Sequence, residues 1–274
     1  MASLVDIGVN LMSPAFDGDR EAVIARAQAA GVHTLIITGS SIESSMVAAA
    51  FAQTRCNTNS NTDCNTNCMT TAGVHPHNAK DWDAAASDRL RELAAQAVAI
   101  GECGLDYNRN FSPPQAQRKC FEDQLALATQ LEKPVFLHER DAFDDFLSIL
   151  KKYRANLPGA VVHCFTGGPA ELEAYLVLDC YIGITGWICD ERRGAHLSPL
   201  LPRIPADRLL LETDAPYLLP RSLPRNLRGK SGRNEPCFLP HIAAYAAEIL
   251  GKSPDQLADE TSANARRLFN FPVQ

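Results

Sequence analysis

The 274-residue chain lacks several features that would place it in particular classes of protein. No apolar run approaches the roughly 20 residues needed to cross a bilayer. The chain begins MASLVD, without the basic start and apolar segment of a secretory signal, so we expect neither a membrane span nor export. It also lacks an excess of positive charge, since 26 Lys and Arg face 32 Asp and Glu. This argues against a surface coated in positive charge for bulk nucleic-acid binding, although a local basic patch is still compatible.

Paired CxxC motifs are also missing, although the chain has nine cysteines. An odd number, with several thiols in or beside apolar runs, fits a reducing compartment. We therefore predict a cytoplasmic protein, or a nuclear one in a eukaryote. The polar, low-complexity segment Cys56–Cys68 (CNTNSNTDCNTNC) is predicted to be a loop insertion. Cys56, Cys64 and Cys68 would allow a zinc clip, but the spacing and the lack of a fourth ligand favour a plain loop.

The chain does contain eight short apolar runs, rich in Val, Ile, Leu and Thr, which read as buried parallel strands. They are Leu4–Val9, Thr34–Gly39, Met69–His75, Val98–Glu102, Pro134–His138, Ala160–His163, Tyr181–Gly186 and Leu209–Asp214. Helical spacing is found over Asp19–Ala30, Ser40–Arg55, Pro113–Leu131, Asp141–Tyr153, Pro236–Leu250 and Pro254–Phe269. This alternation predicts an α/β fold, a TIM (β/α)₈ barrel, with residues 1–274 as one hydrolase domain.

Five of these runs end in a residue that can bind a metal or move a proton. In a barrel the carboxyl ends of the strands converge on one face, so these residues should surround one pocket. A single histidine at a strand end is more often a core residue, but three with two carboxylates favour a metal site. The five residues are His75, Glu102, His138, His163 and Asp214.

Individual roles follow from local sequence. Glu102 lies between glycines that let a ligand approach the backbone, which suits a metal ligand. Asp214 lies in the apolar segment LLLETDAPY, where a cation or a donor must compensate its burial. It can be a ligand, a general base for metal-bound water, or both. Glu212 should face the same side and either acts at the site or forms a structural salt bridge, and we group it with Asp214 and His75 as a candidate catalytic residue. His75 is predicted to contact substrate phosphate or metal.

A local basic stretch follows the last strand, where barrel topology places it at the pocket rim. Phosphate contacts and ordinary solvated loop charges are both compatible with this pattern. Nearby aromatic residues, Tyr107, Phe111, Trp187 and Tyr217, are candidates for base stacking. The basic residues are Arg221, Arg225, Arg228, Lys230 and Arg233, with Arg192 and Arg193 after the seventh run. Of the residues around the mouth, we predict that Asn10, Arg192, Arg221 and Arg233 bind substrate.

Eight segments in order resemble the TatD family of metal-dependent deoxyribonucleases, over nearly the whole chain outside the Asn/Thr-rich insertion. They are DIGVNL (Asp6–Leu11), AGVHPH (Ala72–His77), IGECGLDYNRNF (Ile100–Phe111), PVFLHERDAF (Pro134–Phe143), HCFTG (His163–Gly167), YIGITGWICDERRG (Tyr181–Gly194), LLLETDAPYLLP (Leu209–Pro220) and GRNEP (Gly232–Pro236).

The resemblance implies a barrel of the amidohydrolase-like type and a metal-dependent hydrolase of DNA phosphodiester bonds. A 3′-to-5′ exonuclease on single-stranded DNA, with a role in DNA repair or DNA fragmentation, is the expected activity. By matching motifs, the metal would be held by Glu102, His138 and His163. Asp214 would be catalytic and metal-linked, and His75 would assist.

One departure concerns the first strand. Many relatives begin Asp-x-His-x-His, with two histidines on one of two metals, whereas this chain has Asp6, Gly8 and Asn10. Gly8 supplies no side chain and Asn10 only a neutral oxygen, so a second ion should bind weakly and mainly with DNA phosphate. We therefore expect one or two divalent ions. Mg²⁺ is the expected working ion, while Mn²⁺ or Zn²⁺ would bind more tightly.

Two other functions compete with this hypothesis. A small-molecule amidohydrolase or lactonase would use the same barrel and metals, because fold does not settle substrate. A non-catalytic scaffold is disfavoured, since an idle site has no physical reason to keep carboxylates in an apolar mouth. We assume a monomer.

Overall fold

The computed structural model of the chain describes residues 3–57, 66–228 and 232–271. Strands and helices alternate along most of it. The strands are β1 (Leu4–Val9), β2 (Val32–Ile37), β3 (Asn67–Ala72), β4 (Ala99–Asp106), β5 (Val135–Arg140), β6 (Ala160–Val162), β7 (Tyr181–Ile184) and β8 (Leu209–Leu211). The α-helices are α1 (Arg20–Ala29), α2 (Ile42–Asn57), α3 (Ala84–Ala94), α4 (Pro114–Gln130), α5 (Phe143–Tyr153), α6 (Pro169–Val177), α7 (Leu239–Leu250) and α8 (Pro254–Phe269).

All eight strands are parallel and pair in chain order from β1 to β8. The two outer strands meet through backbone contacts just beyond β8. Asn10 N donates to the carbonyl of Ala215 over 2.7 Å, and Asp214 N donates to the carbonyl of Gly8 over 2.9 Å. These contacts nearly close the sheet, and the predicted (β/α)₈ barrel is confirmed.

The apolar runs form strands because they are covered on both faces, which removes the need for polar alternation. Every residue of β1 and of β4 is buried. One cluster of buried side chains joins strand residues such as Ile7, Phe136 and Leu210 to Leu268 and Phe269 at the end of α8. Because α8 also contacts the start of the first strand through Ser262 and Ser3, it covers the amino-terminal end of the barrel.

Helix α5 shows how the outer layer is specified. Phe146, Ile149 and Leu150 form its buried face, at the spacing of one helical stripe. Asp144 and Asp145 lie in its first turn, and two lysines lie in its last turn. These charges complement the helix dipole at both ends. The first turn faces the carboxyl-terminal end of the barrel, and its acidic side chains become important below.

Several predicted boundaries were wrong in an informative way. The fourth strand was expected to end at Glu102 but continues to Asp106, and the fifth continues from His138 to Arg140. Conversely, β3 and β8 end three residues before His75 and Asp214, which lie on loops. Helices α3 and α6 were not identified individually from the sequence.

Most of the Cys56–Cys68 insertion, including Cys64, lies outside the described residues, so the loop and zinc-clip alternatives stay predictions. Its ends are not loop: α2 runs to Asn57 and β3 begins at Asn67. Lys230 also lies outside the described residues. Within the part of the chain that the structure covers, no helix has the length and apolarity to cross a membrane.

Candidate metal centre and active site

Three histidines surround one carboxylate oxygen at the carboxyl-terminal end of the barrel. Oε1 of Glu102 lies 2.8 Å from His163 Nε2, 3.0 Å from His138 Nδ1 and 3.3 Å from His75 Nε2. Glu102 is on β4, His138 is on β5, and His163 directly follows β6. Side chains from distant parts of the sequence therefore meet because their strands are neighbours in the sheet.

The backbone of β4 lies very close to β5. Gly104 has a φ of 146°, and a Cβ at this position would overlap the carbonyl oxygen of His138. Gly104 pairs directly with His138 in the sheet register. Only glycine permits this approach, which brings the Glu102 carboxylate against the His138 ring.

The electrostatics of this cluster depend on burial and on mutual attraction. Burial alone would raise the pKa of Glu102, but the surrounding histidines, His75 first, hold it well below its ordinary value. Burial would lower the pKa of His163, yet Glu102 and Glu212 together raise it well above its ordinary value. His75 behaves differently, because burial dominates and lowers its pKa to about 4. The Glu102 carboxylate and the His163 imidazole therefore favour each other's charged forms.

The donor set fits a divalent metal ion. One ligand atom from each of His75, Glu102 and His138 lies within 4.8 Å of the others. Imidazole nitrogens with a carboxylate oxygen suit transition metals and zinc, and tolerate magnesium. Moreover, Nε2 of His138 is buried without a hydrogen-bond partner among the described residues, 3.5 Å from Asp106. A buried polar atom without a partner is expected at a binding site rather than in a structural core.

The metal-binding cluster opens onto a cavity with a volume of about 390 Å³, and Asp214 also lines this cavity. Its Oδ1 accepts a hydrogen bond of 2.9 Å from Nδ2 of Asn10. Burial raises the pKa of Asp214 to about 7; His163 opposes the shift, whereas Glu102 and Glu212 add to it. The cavity is lined by Asn10, Ser40, His75, His77, Asn78, Glu102, His138, Arg140, His163, Cys164, Trp187, Asp214, Tyr217 and Leu218.

Glu212 lies behind His163 rather than on the cavity. Its side chain is fully buried, its Oε2 is 3.4 Å from His163 Nδ1, and its Oε1 accepts from Cys164 N over 2.5 Å. It fits there because Gly8 and Gly183 leave room, and a Cβ at either position would overlap its carboxylate. We grouped Glu212 with the catalytic residues from sequence, but this geometry makes it a residue that orients the His163 ring.

The comparisons with known proteins agree with this geometry. The model of the family described as TatD related DNase matches residues 5–270. The chain belongs to the TatD-related DNase family. It is 54% identical, over 97% of both chains, to a protein of Cronobacter sakazakii named 3′-5′ ssDNA/RNA exonuclease TatD. A protein of Klebsiella pneumoniae with the same name is 52% identical over 98% of this chain and 99% of its own.

Solved structures of TatD proteins have the same barrel. A TatD homologue from Escherichia coli superposes with a TM-score of 0.85 at 28% identity, covering 98% of each chain. A hydrolase of the TatD family from Entamoeba histolytica gives 0.86 at 26% identity, also over 98% of each chain. The chain therefore has the barrel that these TatD proteins share.

The first strand of this TatD protein offers no ligand in place of the missing histidines. Asp6 is fully buried and accepts hydrogen bonds from Thr213 N over 2.9 Å and from its hydroxyl over 2.5 Å. The space beside Gly8 is taken by Glu212, and Asn10 is bonded to Asp214. The departure from Asp-x-His-x-His is thus matched by three residues of the loop that directly follows β8, Glu212, Thr213 and Asp214.

The arginines predicted to bind substrate lie outside the cavity lining. Arg233 is held by Asp19 and Glu235 over 2.7–2.8 Å, so its guanidinium has a structural role. Arg192 and Arg221 share Asp190, at 3.7 and 3.6 Å. Asp190 keeps both near the rim, whereas the arginine that lines the cavity is Arg140.

Sequence reasoning assigned no role to Asp106, Arg140 or His77. Asp106 is buried, and its Oδ2 lies 2.8 Å from His77 Nε2 and 3.5 Å from His138 Nε2. A signal was present: Asp106 is four residues after Glu102, and Arg140 is two after His138. In a strand, residues two or four positions apart point to the same face. This spacing therefore indicates a shared site only if the strands continue beyond their apolar runs, as β4 and β5 do.

Proposed function

We propose that this protein is a divalent-metal-dependent exonuclease that removes nucleotides from the 3′ end of single-stranded DNA. The observation that carries the proposal is the convergence of three imidazoles on Glu102, beside Asp214, at the mouth of a TatD barrel. Relatives that are 52–54% identical over nearly their whole length are named 3′-5′ ssDNA/RNA exonucleases. Their names support both the substrate class and the direction.

Glu102, His75 and His138 would hold the ion, with His163 and Asp214 as further ligands once it is bound. A bound divalent ion supplies charge to stabilise the phosphorane-like transition state and an activated water near neutrality. Mg²⁺ is proposed as the working ion because of its availability, while Mn²⁺ and Zn²⁺ should bind more tightly. Asp6 and Asn10 are already hydrogen-bonded within the protein, and Glu212 fills the space beside Gly8. We therefore favour one firmly held ion, with a second ion that binds together with DNA phosphate.

Asp214 is the proposed general base. Asn10 fixes its carboxylate at the cavity wall, so that it can take the proton of the attacking water. His75 is oriented by the hydrogen bond that its Nδ1 accepts from His77 N, which turns Nε2 towards Glu102. Glu212 acts indirectly by holding His163. These residues supply position and proton transfer, and the ion supplies charge.

The strand itself is held by aromatic and basic groups around the mouth. Tyr217 is 58% exposed and lines the cavity, so it can stack on a base, as can Trp187. Arg140 is placed to contact phosphate, with Arg192 and Arg221 further out. We extend the proposal to a monomer that processes damaged or fragmented DNA in the cytoplasm, or in the nucleus of a eukaryotic cell.

The test is digestion of a single-stranded oligodeoxynucleotide labelled at its 5′ end, with Mg²⁺ and with EDTA. We expect products that shorten one nucleotide at a time, and no digestion in EDTA. Asp214→Asn should lower the rate by about 10²-fold or more, the usual contribution of a general base. Asp88→Asn removes the same charge from an exposed position on α3 and serves as the matched control.

A panel of amides and lactones should be assayed in parallel. If these are hydrolysed while the oligonucleotide stays intact, the protein is a small-molecule hydrolase on the same barrel. Fragments that appear from the middle of the strand would contradict exonuclease action while leaving the nuclease activity standing.

A further inference from the structure

A second, larger cavity adjoins the one that contains the metal cluster. Its volume is about 990 Å³, at the upper end of the range for small-molecule sites. Arg140 and Trp187 line both cavities, so the two spaces share a wall. The larger one lies between the end of β5, the first turn of α5 and the loops after β6 and β7. None of the five predicted metal and catalytic residues lines it, although Tyr107, Trp187 and Arg193, which the sequence suggested as substrate contacts, do.

The boundary between the cavities has groups that bind nucleotides. Arg140 ends β5 with an exposed side chain and makes no ion pair among the described residues. Trp187 is partly buried, and the guanidinium of Arg193 lies 5.7 Å from its ring centroid. An unpaired guanidinium suits a phosphate, and an indole ring suits a base of any identity.

The far wall of the larger cavity has the opposite charge. Five carboxylates line it, and four of them are engaged with the protein, including Asp141, whose Oδ2 accepts from Asn108 Nδ2 over 2.7 Å. Glu139 accepts from Ala142 N and Tyr175, Asp145 pairs with Arg118, and Glu171 accepts from Gly168 N. Asp141 and Asp144 have no cationic partner among the described residues, and both are exposed. A phosphate beyond Arg140 would therefore face uncompensated negative charge.

We propose that this cavity holds the nucleoside at the 3′ end of the strand, with its base against Trp187 and its phosphate at Arg140. The far wall of the cavity, with Asp141 and Asp144 (the acidic wall), repels a further phosphate. This inference rests on the proposed exonuclease function and deepens it, because it gives a physical reason for acting at a chain end. A terminal nucleoside with a free 3′ hydroxyl fits, whereas an internal nucleotide would place its next phosphate against Asp141 and Asp144.

The experiment compares two oligodeoxynucleotides of identical sequence, one ending in a 3′ hydroxyl and one in a 3′ phosphate. The wild-type enzyme with Mg²⁺ should favour the hydroxyl end by about tenfold in kcat/KM, as expected for partly screened repulsion. In the double variant Asp141→Asn/Asp144→Asn this ratio should fall to about two. Asn keeps the size and the acceptor oxygen while removing the charge. Raising the salt concentration should narrow the wild-type ratio, since screening weakens exposed charges.

Asp88→Asn, which removes a charge far from the cavity, should keep the wild-type ratio. Equal rates on the two ends overturn the inference while the exonuclease function stands. A ratio that the double variant leaves unchanged also overturns it, because the acidic wall would then not be the cause. Failure to digest either strand contradicts the proposed function, and the inference fails with it.

Discussion

The two halves of the barrel mouth are built differently. On the side of β3 to β6, imidazoles crowd one carboxylate, and Nε2 of His138 has no hydrogen-bond partner in the described part of the chain. On the side of β8 and β1, Asp6, Glu212 and Asp214 each accept hydrogen bonds from neighbouring protein groups. The donors of the first side converge as the ligands of a metal do, whereas the acceptors of the second side are satisfied by other groups of the protein. The comparison indicates that the β3–β6 half binds the metal ion, whereas the β8–β1 half positions side chains around it.

Replacing one carboxylate by its amide on each side should show which side binds the metal ion. Glu102→Gln removes the charge on which three histidines converge, so Mn²⁺ affinity should fall about hundredfold, the upper range for disturbing a metal site. Asp214→Asn should lower Mn²⁺ affinity by no more than about tenfold. Calorimetric titration of the purified apoprotein with Mn²⁺ measures both. Equal losses in the two variants would show that Asp214 is as central a ligand as Glu102, and the division would be wrong.

The packing of Glu212 against Gly8 can be broken without touching any group on the cavity. Gly8→Ala adds a methyl group that overlaps the Glu212 carboxylate, so it should reduce the free energy of unfolding by about 1–3 kcal/mol, as overpacking does. Because Glu212 orients His163, activity should fall as well. Urea denaturation checks the first effect and the nuclease assay the second.

Gly18→Ala is the matched control, since a Cβ there meets nothing within 4 Å. Its stability should stay close to that of the wild-type protein. A Gly8→Ala variant as stable as Gly18→Ala would mean that Glu212 has room to move, and that the first strand does not fix its position.

The sequence was sufficient for the barrel because strand order and helix spacing are local patterns. It was insufficient for the strand ends, because Gly104 and Asp106 belong to β4 only through pairing with His138 and Arg140. No apolar pattern marks such residues. The five predicted site residues do line one cavity, which follows from their position at strand ends.

The arginines show what the sequence could not reveal. Arg233 was expected to bind substrate, yet it pairs with Asp19, 214 positions earlier in the chain. Arg140 escaped notice although it carries the same charge at the cavity. Whether a surface charge is available to a ligand depends on its partners across the fold, and composition and spacing do not record these.

Asp6 allows a further test of the contrast, through the pH dependence of stability. Burial raises its pKa from 3.8 to about 7, against the hydrogen bonds from Thr213. Between these two values the native state keeps a proton that the unfolded state has lost, so the free energy of unfolding decreases as pH rises from about 4 to 7. Asp6→Asn cannot ionise and keeps an acceptor for Thr213 N.

The stability of the wild-type protein relative to Asp6→Asn should therefore fall by about 4 kcal/mol between pH 4 and 8, at roughly 1.4 kcal/mol per pKa unit. Urea denaturation of both proteins across this range gives the difference directly, and exposed Asp88→Asn should show no comparable change. A constant difference would mean that Asp6 is ionised throughout. The β8 and β1 side would then have to compensate a full buried charge, as the histidine side does for Glu102.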